Sequence, residues 1–283
     1  MTVGVAFRKG HGTGNDFVLL PDAEFDPTPE QVRRLTDRRH GIGGDGVLRV
    51  VRTVDATEPE VQAQAERATW FMDYRNADGS LAQMCGNGAR LFARHLVDSG
   101  LEASGDFVIA TRGGARAVRV PESGDVEVEM GKASFSRSTE VPQVRVGDQT
   151  WPTVAVFLPN PHAVTFVDDL AEAGPLIEPP QVEPPEAFPD GVNVEFVVTK
   201  GPMYVAMRVH ERGVGETQSC GTGAAAVMFA AAIRDAAPTE VTYAVDVPGG
   251  RVWVRRDRDS VLTLIGPVQF VAEGTIAESL LAD

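Results

Sequence analysis

Cysteine is nearly absent from this chain: Cys85 and Cys220 are the only two among 283 residues. Two thiols so far apart make neither a disulfide framework nor, by themselves, a metal site, and in a reducing compartment both are expected to be free. A close C-x-x-C pair is lacking, which argues against a dithiol redox motif. Positive charge is also short. Lysine is scarce, no long basic run occurs, and 40 acidic residues stand against 26 basic ones for a formal net charge of -14. Such a surface repels phosphate backbones and anionic lipid, so neither nucleic acid nor membrane is expected as a partner. No apolar run approaches the ~20 residues of a membrane span. The apolar stretch in residues 1–8 is too short for a signal peptide, and the cytoplasm is the expected location. There is no Gly-rich phosphate loop with a placed lysine, which speaks against a pyridoxal phosphate Schiff base. No cofactor and no metal are expected.

What is present is a chain with 43% hydrophobic residues, enough for a core, and with 29 Gly and 19 Pro, which suit many turns and short strands. Strand-like runs recur at 17–20, 47–54, 69–74, 107–111, 115–120 and 126–130. A second series follows at 154–158, 163–167, 192–199, 203–209, 241–245, 251–255 and 261–265. Helical patterns are fewer: 30–38, 86–99 closed by Gly100, and the Ala-rich 221–235. The Pro-rich segment 178–190 is expected to be an exposed loop and not a strand.

The main organising feature is an internal repeat. Gln83-Met84-Cys85-Gly86-Asn87-Gly88-Ala89 matches Gln218-Ser219-Cys220-Gly221-Thr222-Gly223-Ala224, each copy following a strand and opening a helix. Asn76 and Glu211 each precede their cysteine by nine residues. With Gly at about a tenth of the chain, G-x-G after both cysteines would arise by accident about once in 10⁴. The repeat implies an α+β protein of two related domains facing each other, split near 131–146.

The repeated unit has a chemical use. Glycines let the backbone turn tightly and approach a ligand. The first amides of a helix lack intrahelical partners and carry the positive end of its dipole, so they bind a carboxylate and favour thiolate over thiol. Two such units around one cleft would place a sulfur on each face of a carbon bearing a carboxylate. One thiolate would remove the α-proton and the opposite thiol would return one, inverting the configuration. The helix ends would stabilise the carbanion's charge as it spreads into the carboxylate.

Other residues could support this. His162, following a strand in Asn160-Pro161-His162, could tune a thiol or orient a substrate, whereas His40 and His210 lack such a setting and His11 sits in a Gly-rich turn. Arg212 could grip a carboxylate with two hydrogen bonds, and Glu211 could take an ammonium. Asn15, Asn76, Asn160 and Asn193, at strand ends beside Gly or Pro, offer neutral donors and acceptors for a zwitterion.

At this point the motifs Gly12-Thr13-Gly14-Asn15-Asp16-Phe17, Asn76-Ala77-Asp78-Gly79-Ser80, Met84-Cys85-Gly86-Asn87-Gly88-Ala89-Arg90, Asn160-Pro161-His162, Gly191-Val192-Asn193 and Glu211-Arg212-Gly213 with Cys220-Gly221-Thr222-Gly223 resemble, in order and over most of the chain, the diaminopimelate epimerase family. The resemblance implies two similar domains, 1–131 and 132–266. Each would be a curved, mostly antiparallel sheet around a central helix, with residues 267–283 returning to the first domain through a strand near 268–271 and the active site in the interdomain cleft. It implies reversible conversion of LL-2,6-diaminopimelate to the meso form, for lysine and cell-wall synthesis, without cofactor or metal, by a homodimer. By the same resemblance Cys85 and Cys220 would be the acid–base pair. Gly86, Asn87, Gly221 and Thr222 would hold the reacting carboxylate. Asn15, Asn76, Asn160, Asn193, Glu211 and Arg212 would bind the rest of the diamino diacid, and His162 and Glu211 would modulate the thiols. Two positions depart from the family pattern: Gly46, where many members have Gln, and Pro159, where Gly is frequent. An epimerase of proline or hydroxyproline is the nearest alternative, but Arg212 and the several Asn suit a second polar head better. A non-enzymatic anion-binding protein with structural cysteines, and a thiol–disulfide switch, are the alternatives of other classes.

Overall fold

The computed structural model describes residues 4–21, 23–135 and 141–282. They fall into two compact units, one from residues 1–128 with 266–283 and one from residues 129–265. Both are mostly sheet, and each wraps one long helix.

In the first unit the strand order across the sheet is Gln269–Thr275, Ala6–Gly12, Asn15–Leu20, Gly46–Arg52, Trp70–Asn76, Gly105–Ala110, Arg116–Val120 and Val126–Lys132. Successive pairings are antiparallel, antiparallel, parallel, antiparallel, parallel, antiparallel and antiparallel. In the second unit the order is Ser134–Phe135, Val154–Phe157, Pro161–Phe166, Asn193–Gly201, Tyr204–Glu211, Val241–Val247, Gly250–Arg256 and Val261–Gly266, with the same succession of senses. The internal repeat is thus a repeat of topology, and each copy of the Cys-Gly-x-Gly motif lies at the same point of it. The helices are Gly86–Asp98 and Gly221–Arg234. Ten residues of the first and eleven of the second are buried, so each is the core of its sheet and not a surface cover. The second is walled by alanines (Ala224, Ala225, Ala226, Ala230, Ala231 and Ala232), which let strands approach closely from several sides.

The N-terminal strand Ala6–Gly12 and the hairpin Gln143–Val146 with Gln149–Pro152 were not foreseen from hydrophobic pattern. The first carries Gly10 and Gly12 where the strand crosses the Gly86–Asp98 helix: a Cβ would come within 2.7 Å of Leu91 at one and 2.8 Å of the Arg90 guanidinium at the other. Close approach selects glycine there and erases the alternation that marks a strand. Thr13 and Gly14, both with positive φ (50° and 83°), turn it into the next strand, the two-residue hairpin geometry that matches strand twist. The Pro-rich segment also needs correction. Gln181–Glu183 is a strand after all, an edge paired antiparallel with Gln143–Val146. Pro is tolerated just outside such a short edge because it forfeits no ladder bond there. Val182 from this segment joins a satellite core with Val144, Leu176, Phe188 and Phe196.

The first unit is tied on its other side by a buried carboxylate. Asp73, 1% exposed, accepts from Arg49 at 2.6 Å, Arg112 at 2.7 Å and Arg75 at 2.8 Å. Burial opposes its ionisation, but Arg75 and Arg112 outweigh that and hold the carboxyl below its ordinary range. A depressed carboxyl contributes stability that is complete above about pH 4 and drains away as pH falls through the lowered value. Asp73→Asn removes the one buried anion shared by three arginines, leaving Arg49 and Arg75 to the exposed Asp26 and Arg112 to Glu58, and should cost about 3 kcal/mol, read as a fall in urea midpoint at neutral pH that narrows in acid.

Candidate active site

Each cysteine sits at the N-cap of its helix. Cys85 has extended backbone (φ -137°, ψ 123°) and its sulfur accepts from the Gly88 amide at 3.5 Å. Cys220 does the same (φ -115°, ψ 114°) from the Gly223 amide at 3.3 Å. Gly86 and Gly221 are the first helical residues and are buried. The amides that follow each sulfur lie at the positive end of the helix dipole, where the helix itself supplies no acceptor. Both turns therefore offer a sulfur next to an anion-binding terminus.

The surroundings of Cys85 are neutral amides and a buried cation. Its Sγ lies 3.4 Å from Asn15 Oδ1, which also accepts from Asn87 Nδ2 at 3.3 Å. Asn15 donates through Nδ2 to Asp45 Oδ2 at 2.7 Å. That bond fixes the amide's orientation, because a flip would set two oxygens together. Asp45 is in turn gripped by Arg38, which also pairs with Asp16. Burial disfavours the Asp16 anion, yet Arg38 and Lys9 hold its carboxyl well below the usual range. Arg90, which sequence reasoning quoted only as part of a motif, is fully buried on the same helix and donates to Thr13 Oγ1 at 3.3 Å. Burial brings its guanidinium down to about 10, against the attraction of Cys85 and Asp125, so it stays a cation at neutral pH. Asn76 closes a turn, its amide donating to Ser80 Oγ at 3.0 Å.

Around Cys220 the groups are ionisable. Its Sγ is 3.5 Å from Thr222 Oγ1, which accepts from Asn160 Nδ2 at 3.2 Å. Asn160 Oδ1 lies 3.1 Å from His162 Nε2, and His162 Nδ1 lies 2.6 Å from Glu195 Oε1. Both members of that last pair have side chains 0% exposed. Burial pushes the Cys220 thiol well above its ordinary value, and the charges of Glu211 and Glu195 add to this. Burial likewise raises the Glu195 carboxyl. Glu211 accepts from Thr217 Oγ1. Asn193 Oδ1 accepts from the Arg212 amide at 2.8 Å, so it fixes the turn carrying Arg212, whose exposed guanidinium donates to the Asp190 carbonyl at 2.7 Å. Glu195 escaped sequence reasoning, although a lone carboxylate inside the apolar run Val192-Asn193-Val194-Glu195-Phe196-Val197 was a legible signal.

The strand registers superimpose the two surroundings. Phe17 pairs with Gly46 and Gly46 with Asn76 in the first unit. In the second, His162 pairs with Asn193, and because Val194 pairs with His210 the next step sets Asn193 opposite Glu211. Gly46 thus corresponds to Asn193, Asn76 to Glu211, Phe17 to His162, and Leu48 to Glu195. A Cβ at Gly88 would sit 3.4 Å from both Phe17 and Leu48, while one at Gly223 would sit 2.9 Å from Glu195 Oε1. A side chain at Gly46 would meet the Arg75 carbonyl at 2.5 Å, so the departure from Gln there is built into this backbone.

The diaminopimelate epimerase family model matches residues 7–136 and 154–271. A diaminopimelate epimerase of Streptomyces coelicolor is 53% identical over 281 residues, spanning 97% of this chain and 96% of its own length. Among solved structures, a phenazine biosynthesis protein of the PhzF family from Bacillus anthracis superimposes with a TM-score of 0.68 at 15% identity, over 96% of this chain and 99% of its own. A probable proline racemase from Agrobacterium radiobacter does so with a TM-score of 0.67 at 14% identity, over 96% and 93%. These two likenesses are of fold, the two-unit architecture of repeated sheets around central helices. Identity at this level over nearly the whole length, together with a family match covering both repeats, shows that the chain belongs to the diaminopimelate epimerase family and is an isomerase of the amino-acid epimerase kind.

Proposed function

We propose that this protein interconverts LL-2,6-diaminopimelate and meso-diaminopimelate by two-base proton transfer between Cys85 and Cys220, with no cofactor. The observation that carries the reading is that the two cysteines occupy equivalent N-cap positions of the two repeated units, each with its sulfur on the N3 amide of a buried helix. One cysteine, as thiolate, takes the proton from the α-carbon and becomes a thiol. The other, as thiol, gives its proton to the opposite face and becomes the thiolate. The electron pair left on carbon is held meanwhile as an enediolate by the amides at Gly86-Asn87 and Gly221-Thr222. The reading needs both sulfurs to address one carbon from its two sides. Asn15, Asn76, Asn160, Asn193, Glu211 and Arg212 supply complementary polar groups for the remote amino-acid head, and His162 and Glu211 modulate the thiols. The same reading places the enzyme in the cytoplasm, as a homodimer, in the supply of lysine and cell-wall precursor.

Label from solvent tests it. With LL-diaminopimelate in deuterated water, stopped early, deuterium should enter the meso product and stay scarce in recovered substrate, because distinct groups remove and return the proton. Equal early labelling of both isomers would overturn the two-base scheme. Proline and hydroxyproline should not be racemised.

Either Cys85→Ala or Cys220→Ala should lower kcat by at least about 10³-fold while substrate still protects the protein from heat, since the acid–base step is lost and the carboxylate site is not. Retained turnover in either variant would return the cysteines to a structural role. Because burial lifts the Cys220 thiol, its alkylation should remain slow at a pH where an unburied thiol already reacts.

A further inference from the structure

The helix start at Cys220 differs from the one at Cys85 in the charges around it: Glu211 stands where the first unit has Asn76, the Arg90 cation is present only beside Cys85, and the groups beneath the turn differ as well. At the two positions beneath the turn the first unit has Phe17 and Leu48, and the second has His162 and Glu195. The Glu195 carboxyl is completely buried, and one of its oxygens, Oε2, has no hydrogen-bond partner among the described residues. Its other oxygen is shared with His162 and lies so close to Gly223 that no side chain fits between. A buried carboxyl group is kept in such a place at a desolvation cost, and packing alone would be served better by the leucine of the other unit.

Its position gives it work. The amides after Cys220 pull the thiol toward ionisation, as helix starts do. A carboxyl group set against Gly223, whose amide is held by the Cys220 sulfur, opposes that pull from below. The groups that face the sulfur from the packed strands are Glu195 on Asn193–Gly201, Glu211 on Tyr204–Glu211 and, through Asn160 and Thr222, His162 on Pro161–Phe166. Of these His162 and Glu195 are fully buried beneath the turn, and it is the Glu195 oxygen that lies against Gly223.

We infer that Glu195 is a positioning residue that, in its buried pair with His162, keeps Cys220 protonated in the free protein and so makes the two cysteine sites unequal. It acts through His162 and the helix start, without touching the substrate. As a part of the reaction it rests on the two-cysteine reading, but its effect on the thiol does not.

The test is alkylation by iodoacetamide as a function of pH, with each cysteine followed separately by peptide mass spectrometry. The proteins compared are the unaltered chain, the isosteric Glu195→Gln, and Glu195→Leu, which installs the residue of the other unit. Glu195→Gln should move the Cys220 midpoint down by at least one pH unit, roughly tenfold more thiolate at a given pH below it, and leave the Cys85 midpoint in place. Glu195→Leu should move it in the same direction, and Gln carries the test if Leu does not fold. In the pH–rate profile the alkaline limb, which reports the group that must stay protonated, should shift to lower pH with KM within about twofold. An unmoved Cys220 midpoint in the Gln variant, or equal movement of both cysteines, would overturn the inference. If the midpoint moves but the unaltered protein exchanges no α-proton, the inference stands and the two-cysteine reading falls.

Discussion

Everything in this molecule is arranged around the amides at the start of two buried helices, which have no acceptor within the helix. A helix end inside a protein must be given partners or it costs several hydrogen bonds. Here a sulfur, the softest acceptor available, takes one amide in each copy, and glycines follow at the first helical position. The sheet then has to bend around the helix so that the start is reached from several strands at once. That requirement accounts for the glycines at Gly10 and Gly12, the alanine walls of Gly221–Arg234, and the parallel pairings that bring successive strands to the same end.

The two copies share a scaffold and divide the chemistry. In the first, the sulfur is approached by an asparagine whose orientation is locked through Asp45 and Arg38, with the Arg90 cation buried behind it. In the second, the same register positions carry a histidine–carboxylate pair and a glutamate strand end. An identical pattern of hydrogen-bonded strands therefore supports one turn set in amides and one set in titratable groups. Backbone topology fixes where a group can stand, and the side chain at that register decides how the neighbouring thiol is charged.

Much of this was legible in the sequence, and what was not has identifiable causes. The repeated Cys-Gly-x-Gly turns, the two helices they open and most strands announced themselves through glycine spacing and apolar runs, because those signals are local. The Ala6–Gly12 strand did not, since its glycines are dictated by a helix eighty residues away. The Gln181–Glu183 edge was hidden by prolines that break a pattern without forbidding a three-residue strand. Among site residues, Asn15, His162 and Asn160 stood beside recognisable turns. Glu195 lay inside a strand, where only its solitude among apolar neighbours set it apart, and its partner is thirty-three residues away.

The unequal clearance beneath the two turns has a bearing on how the sequence can change. Gly88 faces ordinary van der Waals neighbours in Phe17 and Leu48, while Gly223 is hemmed in at 2.9 Å by a carboxylate oxygen and at 3.2 Å by Cys220 itself. A methyl group at residue 88 asks only that two apolar side chains lean back, whereas one at residue 223 must displace a buried polar pair. Laboratory libraries that aim to reshape what these turns accept will thus find slack in the first copy and almost none in the second.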